Sequence, residues 1–396
     1  MQFAMPQISV RDIYKEIDQD ENLAIKETKG ELSTVICEGL GNLLVEFEEF
    51  AQRAGNGQVG FHCAWNNGNL MIKSGQLAKY YPQLNHFVSL YEQDKTYSPH
   101  VEVAYKHVFA LGLQSGGMYD DPAEVNSYYN KSGATLFNEL IQRVYHECQT
   151  PEFKRKLSAR EYNAVRNFRS VGEYIAALFE HCKSRLLAIR VDFGFAIHPQ
   201  LHPHEVTLTE AQAYLDRFLN NRRGRALFKN LVGYVWKLEH GRQKGYHFHF
   251  CMLFDGSRVE NHSYIAMKVG EYWQELTDGR GTYHSCHAHK RPYFRSGIGM
   301  IEHDDFEKRS NLLYALSYFF KKDQYVKMKL SEKARVYGRG EMPKPRNSTV
   351  GRPRRKVENE GALQNMGDIF ENAMTHGTLP AVNRISSNQD ECDSSD

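Results

Sequence analysis

Three side chains in one stretch of this sequence could hold a metal ion. His247 and His249 alternate within Gly245-Tyr-His-Phe-His-Phe-Cys-Met-Leu-Phe254, and Glu239 lies eight positions before His247. In an extended chain alternate side chains share a face, so the two imidazoles point the same way. Glu239 ends an aromatic and aliphatic arm that begins at Gly233, and His240 to Gly245 supplies a basic, Gly-bounded break between the arms. Such a pair of arms reads as a β-hairpin. If its register sets Glu239 near His247, one carboxylate and two imidazoles form an open-sided, three-ligand divalent-metal site. Two histidines in an alternating strand can equally just face solvent, so the motif needs support from elsewhere in the chain.

That support comes from a second set of residues that could do chemistry, Tyr314, Tyr318, Lys321 and Tyr325. At about 100° per residue they share one sector of a helix, with Leu312, Leu316 and Phe319 nearly opposite. Aromatics at helical spacing usually belong to a core, but a lysine among them fits a core poorly, because burying an unpartnered charge is expensive. A phenol with a free pKa of about 10 costs roughly 4 kcal/mol to ionise at pH 7. A nearby cation lowers that cost, and Lys321 lies within a turn of Tyr318.

Several elements must position these groups. Leu186 to Phe195 reads as a buried strand, followed by a His/Pro loop over Ile197 to Pro203. A helix starting at Thr209, with Gln212 at capping-box spacing, ends in the basic cluster Arg222, Arg223 and Arg225, which could touch phosphate. Ile265, Val269, Tyr272 and Leu276 mark another helix. Asp304 with Glu307 is the expected N-terminal cap of the tyrosine helix. The cluster His284-Ser-Cys-His287-Ala-His289 could bind zinc in principle, but no second ligand pair at finger spacing follows it.

Residues 1–180 read as a mainly helical region of unreadable role. After a polar, loosely held start, helical stripes are expected at Leu40, Leu43, Leu44, Phe47 and Phe50, at Val101, Tyr105 and Val108, and at Leu136, Leu140, Ile141 and Val144. Ser158 and Glu161 have capping-box spacing ahead of Val171, Tyr174, Ile175, Leu178 and Phe179. Residues 331–396 read as a flexible tail, first basic and then acidic. From Lys333 to Glu358 there are nine basic residues against two acidic ones. Arg352, Arg354, Arg355 and Lys356 lie in a Gly-Arg-Pro segment that resembles an AT-hook without its usual leading arginine, and general attraction to DNA phosphates is the simpler expectation.

Composition sets the limits. With 396 residues, 41% of them hydrophobic and 25% charged, the chain is globular and long enough for two or three domains. A net charge of +2 means that any nucleic-acid signal must come from where the charges sit. Seven cysteines without CxxC spacing argue against a disulfide framework and fit a reducing cytoplasm. No run of eighteen apolar residues suggests a membrane span. A histidine-triad nucleotide hydrolase would need a third histidine where Cys251 stands, and a zinc peptidase would need His-Glu-x-x-His on a helix, which is absent.

Strand Leu186 to Phe195, Glu239-His-Gly-x-x-x-Gly-Tyr-His-Phe-His-Phe and Leu312-Leu-Tyr-Ala-Leu-Ser-Tyr-Phe-Phe-Lys, in that order, resemble the HUH endonucleases. The likeness covers residues 185–330 and is nearest to the rolling-circle replication initiators of filamentous phages (inoviruses) and their prophage-encoded relatives. The resemblance implies an α+β fold, with a ferredoxin-like or RRM-like palm around a central antiparallel sheet in residues 181–330. It implies a site-specific nickase using Mg²⁺ or Mn²⁺, with His247, His249 and Glu239 as ligands, Tyr318 as nucleophile and Lys321 as its helper. The product would be a 5′-phosphotyrosine link, and the partners single-stranded or supercoiled origin DNA together with a host helicase and polymerase. Ser317 stands where a second Tyr-x-x-Lys motif would carry lysine, so Tyr314 is a second nucleophile or only a substrate contact. A DNA-binding regulator that kept the fold and lost the chemistry is the alternative.

Overall fold

Period-3.6 stripes build the N-terminal part. β1 (Leu23–Thr28) and β2 (Glu31–Ile36) pair as an antiparallel hairpin, more order than a loose start implied. Helix α1 (Leu40–Gly55) follows, then the hairpin of β3 (Phe61–Asn66) and β4 (Asn69–Ser74). Next come the short helix α2 (Leu84–Ser89), β5 (Lys95–Tyr97) and α3 (Pro99–Ala110). β6 (Val125–Asn126) and β7 (Lys131–Ser132) form a minimal pair before α4 (Gly133–Cys148). The expected faces of α1, α3 and α4 meet in an aromatic core, where Phe47 stacks on Phe87 at 4.9 Å and Phe50 on Phe137 at 5.6 Å. Burying each such ring contributes roughly 1.5–3 kcal/mol.

Helix α5 (Pro151–Ala177) leads from this core into the next one. Its cap is Thr150, whose hydroxyl accepts from the Phe153 amide, and Pro151 stands in the first turn, where its missing N–H costs nothing. The expected box at Ser158 and Glu161 therefore falls inside the helix. Phe153 packs in the N-terminal core, whereas Phe168, Val171, Tyr174 and Ile175 pack against the sheet.

That sheet is built on three strands of eleven residues, β8 (Arg185–Phe195), β9 (Leu231–Gly241) and β10 (Gly245–Asp255). Between β8 and β9 lies α6 (Leu208–Asn221). Its capping box joins Thr207 and Glu210, two residues before the expected pair, because Thr207 is the last extended residue and the Glu210 carboxylate accepts from its amide. After β10 come α7 (His262–Leu276), β11 (Gly281–Ser285), β12 (Gly299–Glu302) and α8 (Phe306–Lys321). α8 is capped by Asp305, not Asp304, through the Lys308 amide. β13 (Val326–Met328) pairs with β5 of the N-terminal part, and β14 (Tyr337–Arg339) joins the sheet. Those last three residues belong to the segment read from sequence as a flexible arm.

The sheet is antiparallel throughout, in the order β11-β8-β10-β9-β14, with β12 also on β8. The fold is thus α+β, with a helical N-terminal region and a central antiparallel sheet. The structure is a computed structural model and describes residues 23–28, 31–36, 40–67, 69–115, 120–196, 206–241, 244–286, 297–328 and 335–345. All of them lie in one compact unit within Met5–Arg354. The Ile197 to Pro203 loop, His287, His289, Arg352, Arg354, Arg355 and Lys356 lie outside the described residues.

Alternation along the strands gives the sheet two unlike faces. Leu187, Ile189, Val191, Phe193, Trp236, Leu238, Phe248, Phe250, Met252 and Phe254 meet α6 and α7 in one core. On the other face Leu186, Ala188, Val235, Cys251 and Leu253 meet α5 and, from α8, Leu312, Leu316, Phe319 and Phe320. Continuing along that second face, the alternate positions become Arg190 and Asp192, Lys237 and Glu239, His249 and His247.

Candidate metal centre and tyrosine helix

The hairpin register delivers the expected convergence. Glu239 lies directly opposite His247 across β9 and β10, and His249 lies between Lys237 and Asp192. The turn closes at Gly245, whose φ of +62° is a backbone region that favours glycine. Its carbonyl lies 3.0 Å from Nδ1 of His247. With that nitrogen turned to the carbonyl as donor, Nε2 of His247 faces Glu239 Oε2 at 3.9 Å.

His249 is oriented in the same sense by a carboxylate. Its Nδ1 lies 2.8 Å from Asp192 Oδ1, and its Nε2 lies 3.6 Å from Glu239 Oε2. A carboxylate or carbonyl behind a histidine fixes the tautomer that leaves Nε2 as a lone-pair donor, which is the usual arrangement around metal-bound histidines. One ligand atom from each of Glu239, His247 and His249 lies within 4.8 Å of the others. With metal–donor bonds of about 2.0–2.2 Å, two donors on one ion stand at most about 4.4 Å apart. The set therefore fits a divalent cation with a small contraction. Both histidines are buried, at 4% and 6% exposure, so the donors are pre-organised by packing.

The other half of the site comes from the end of α8. Phe319 lies beside His249, with ring centroids 5.9 Å apart, and Lys322, just past the helix, reaches Glu239 Oε2 with its Nζ at 2.5 Å. The ammonium that touches the Glu-His-His cluster is thus Lys322, the residue after the expected helper Lys321. Lys322 is one helical turn after Tyr318, so Tyr318 and Lys322 share a side of α8. Asp323 pairs with the buried Lys237, and its backbone carbonyl accepts from Arg160 of α5, at 2.8 Å from Nη2, which pins the helix end. Burial pushes the Lys321 ammonium down to about 8, which makes it a weakly held charge near neutral pH.

Tyr314 and Tyr318 stand with their hydroxyls 3.2 Å apart. Neither belongs to the sheet-facing core. Together with Tyr325 they pack, partly buried, against the N-terminal aromatic core. The phenolic side expected from helical spacing exists, and the N-terminal region flanks it. Ser317, at the position of a second helper lysine, is fully buried and donates to the Tyr314 carbonyl at 2.7 Å.

The basic cluster after α6 is engaged within the fold. Arg222 lies over the Tyr234 ring, and Arg225 pairs with Glu275 at 2.8 Å while lying over Tyr272. Arg223, the most open of the three, lies 4.0 Å from Glu341. Cys286, from the second histidine-rich run, is buried with its sulfur 3.9 Å from Asp192. Asp192 and Lys322 were missed from sequence. Asp192 had a signal, since it is the one acid in a mainly apolar strand, on the face shared with Arg190. Lys322 had one too, one turn beyond Tyr318.

Residues 148–340 match the model of the YagK/YfjJ C-terminal domain family, a prophage-associated family, which fits a prophage-encoded protein. The matched region runs from the end of α4 through β14 and includes Glu239, His247, His249, Tyr318 and Lys322. No curated protein matches the chain, and no solved structure does. Among the described residues no helix is long and apolar enough to cross a membrane.

Proposed function

We propose that this chain is a metal-dependent tyrosine endonuclease of the HUH type, which nicks one DNA strand at a specific site to start rolling-circle replication of a prophage or related mobile element. The observation that carries the reading is the meeting of two parts on one sheet face. Glu239, His247 and His249 turn one donor each toward a common point, and α8 brings Lys322 onto Glu239 one turn from Tyr318. On this reading the sheet and its helices are the ferredoxin-like palm of that superfamily, with the histidine strand at its centre.

The chemistry assigned to these residues balances without water. Tyr318 Oη gives up its proton and bonds to phosphorus, the P–O3′ bond breaks, and the departing O3′ takes up a proton. The products are a 5′-phosphotyrosine and a free 3′-OH, from which a host polymerase extends after a host helicase opens the duplex. Mg²⁺ or Mn²⁺ held by Glu239, His247 and His249 would supply polarisation of a non-bridging phosphate oxygen. On this reading Lys322 and Lys321, each within about one helical turn of Tyr318, would lower the cost of forming phenolate as the substrate binds. Tyr314, 3.2 Å from the Tyr318 hydroxyl, donates to or accepts from it and so helps to fix the nucleophile's direction.

Tyr318→Phe tests this directly. Wild-type protein incubated with Mn²⁺ and single-stranded DNA carrying the element's origin is expected to give a covalent adduct on a denaturing gel. The Phe variant is expected to give none, and Tyr314→Phe to keep most of it. An undiminished adduct in Tyr318→Phe sinks the assignment. A second reading, a DNA-binding regulator without chemistry, draws on the ammonium already seated on Glu239 and the packed tyrosines. It predicts specific DNA retention with no adduct in any divalent metal.

A further inference from the structure

We infer that the outward face of α5 is a binding track for a polynucleotide backbone, separate from the Glu-His-His cluster and from the arginines after α6. Arg155, Ala159, Tyr162, Arg166 and Arg169 recur at three- and four-residue spacing, and all are exposed. At 100° per residue they fall in a single stripe, opposite Phe153, Ala164, Phe168, Val171 and Ile175, which are buried in the two cores. The stripe covers about 21 Å of helix at 1.5 Å per residue. It is basic from Arg155 to Arg169, and Glu173 closes it.

Two features separate these arginines from ordinary surface charge. First, among the described residues none of the three makes a hydrogen bond or ion pair with the protein, whereas Arg222 lies on Tyr234 and Arg225 is tied to Glu275. Guanidinium forks left open along one line suit a row of phosphate oxygens. In their midst Tyr162 is 66% exposed, a large ring that stacks on no other ring among the described residues, of the kind on which a nucleic-acid base stacks. Second, an arginine from β14 reaches α5 at the end of the stripe. Arg339 of β14 donates to Ser170 Oγ at 3.2 Å and lies over the Tyr174 ring, so a fourth guanidinium lies against α5 at the residue next to Arg169. Lys344 is exposed just beyond, and the sequence continues with Arg352, Arg354, Arg355 and Lys356, outside the described residues.

An acidic protein would also be attracted to positive charge. Three arginines evenly opposed to a core, with an aromatic among them and Arg339 against the same helix, match the regular charge and flat bases of a nucleic acid better. The track rests on the nickase reading only for its biological purpose, which is to hold DNA flanking the nicked strand; its binding is tested separately.

The experiment uses the full chain and fluorescence anisotropy with a labelled 30-nucleotide single strand and a 30-base-pair duplex of arbitrary sequence, across a NaCl series. Arg155→Gln/Arg166→Gln/Arg169→Gln is expected to flatten the slope of log K against log[salt] by about 2 on the single strand and about 3 on the duplex. Arg166→Gln alone should flatten it by slightly less than 1, which covers the case of a triple variant that folds poorly. Tyr162→Ala should weaken single-strand binding at least about fivefold and duplex binding less. Unchanged slopes in both arginine variants overturn the track. If the slopes fall while wild type forms no adduct, the track stands and the nickase reading fails. If the adduct forms and the slopes hold, the reverse is true.

Discussion

The two faces of the central sheet are made from the same strands and differ in what alternate residues do. Toward α6 and α7 the face is apolar along Leu187 to Phe193 and Phe248 to Phe254, with Trp273 stacked on Phe193 at 4.8 Å and Phe250 fully buried. Toward α5 and α8 it is apolar only as far as Ala188, Val235 and Cys251, and then carries Arg190, Asp192, Lys237, Glu239, His247 and His249. The continuous face supplies the cohesion that lets the other hold six ionisable groups close together. Each of those groups is costly to bury unless it is partnered. Four of them are partnered in pairs that cross elements, Asp192 with His249, Lys237 with Asp323 and Glu239 with Lys322, while Arg190 lies by Asp192 and His247 by the Gly245 carbonyl.

If this division of labour is right, substitutions on the two faces should separate stability from metal binding. The largest effect is expected from Phe250→Ala on the apolar face, a loss of about 3–5 kcal/mol in urea unfolding. Calorimetry at a temperature where that variant is still folded should show Mn²⁺ affinity close to wild type. His249→Ala should do the opposite, weakening Mn²⁺ by on the order of a hundredfold while moving the unfolding midpoint little. Equal losses of stability in both variants would remove the distinction between the faces.

Smaller changes probe how the polar face is assembled. Asp192→Asn keeps the shape but removes the carboxylate behind His249, and Mn²⁺ affinity should fall about tenfold or more. Lys322→Met removes the ammonium from Glu239, so Mn²⁺ binding should tighten by roughly fivefold, about 1 kcal/mol. Weaker binding there would mean that Lys322 supports the ligand set instead of competing for its carboxylate. The smallest effect concerns Lys321. Its folded pKa of about 8 lies below the ordinary 10.5, so between those values the unfolded chain holds the extra proton. Stability from this group should therefore rise as pH increases from about 8 to about 10.5. In Lys321→Met the rise should be absent, which thermal melts at pH 7.5 and 10 would show.

Much of the site was legible because it depends on short-range periodicity. Period 2 put His247 and His249 on one side, the Gly-bounded break set Glu239 opposite His247, and period 3.6 separated Leu312, Leu316 and Phe319 from the tyrosines. Cap positions were off by one or two residues at α6 and α8 and by about two turns at α5. Several Ser, Thr and Asp residues there can cap, and backbone geometry chooses among them. Contacts between distant segments were not legible. Nothing local shows that Arg225 pairs with Glu275, that Lys322 reaches Glu239, or that the N-terminal aromatic core lies against Tyr314, Tyr318 and Tyr325. Residues 1–180 read as helices without a role, and their contact with the tyrosine side of α8 emerges only from tertiary packing.

The most direct test is to locate the covalent bond itself. After reaction of wild-type protein with origin DNA and Mn²⁺, nuclease trimming and trypsin should release the peptide from Ser310 to Lys321, which holds both Tyr314 and Tyr318. Fragmentation mass spectrometry is expected to place the residual nucleotide on Tyr318. A nucleotide on a residue outside that peptide, or no modified peptide when DNA binding is intact, would contradict the account.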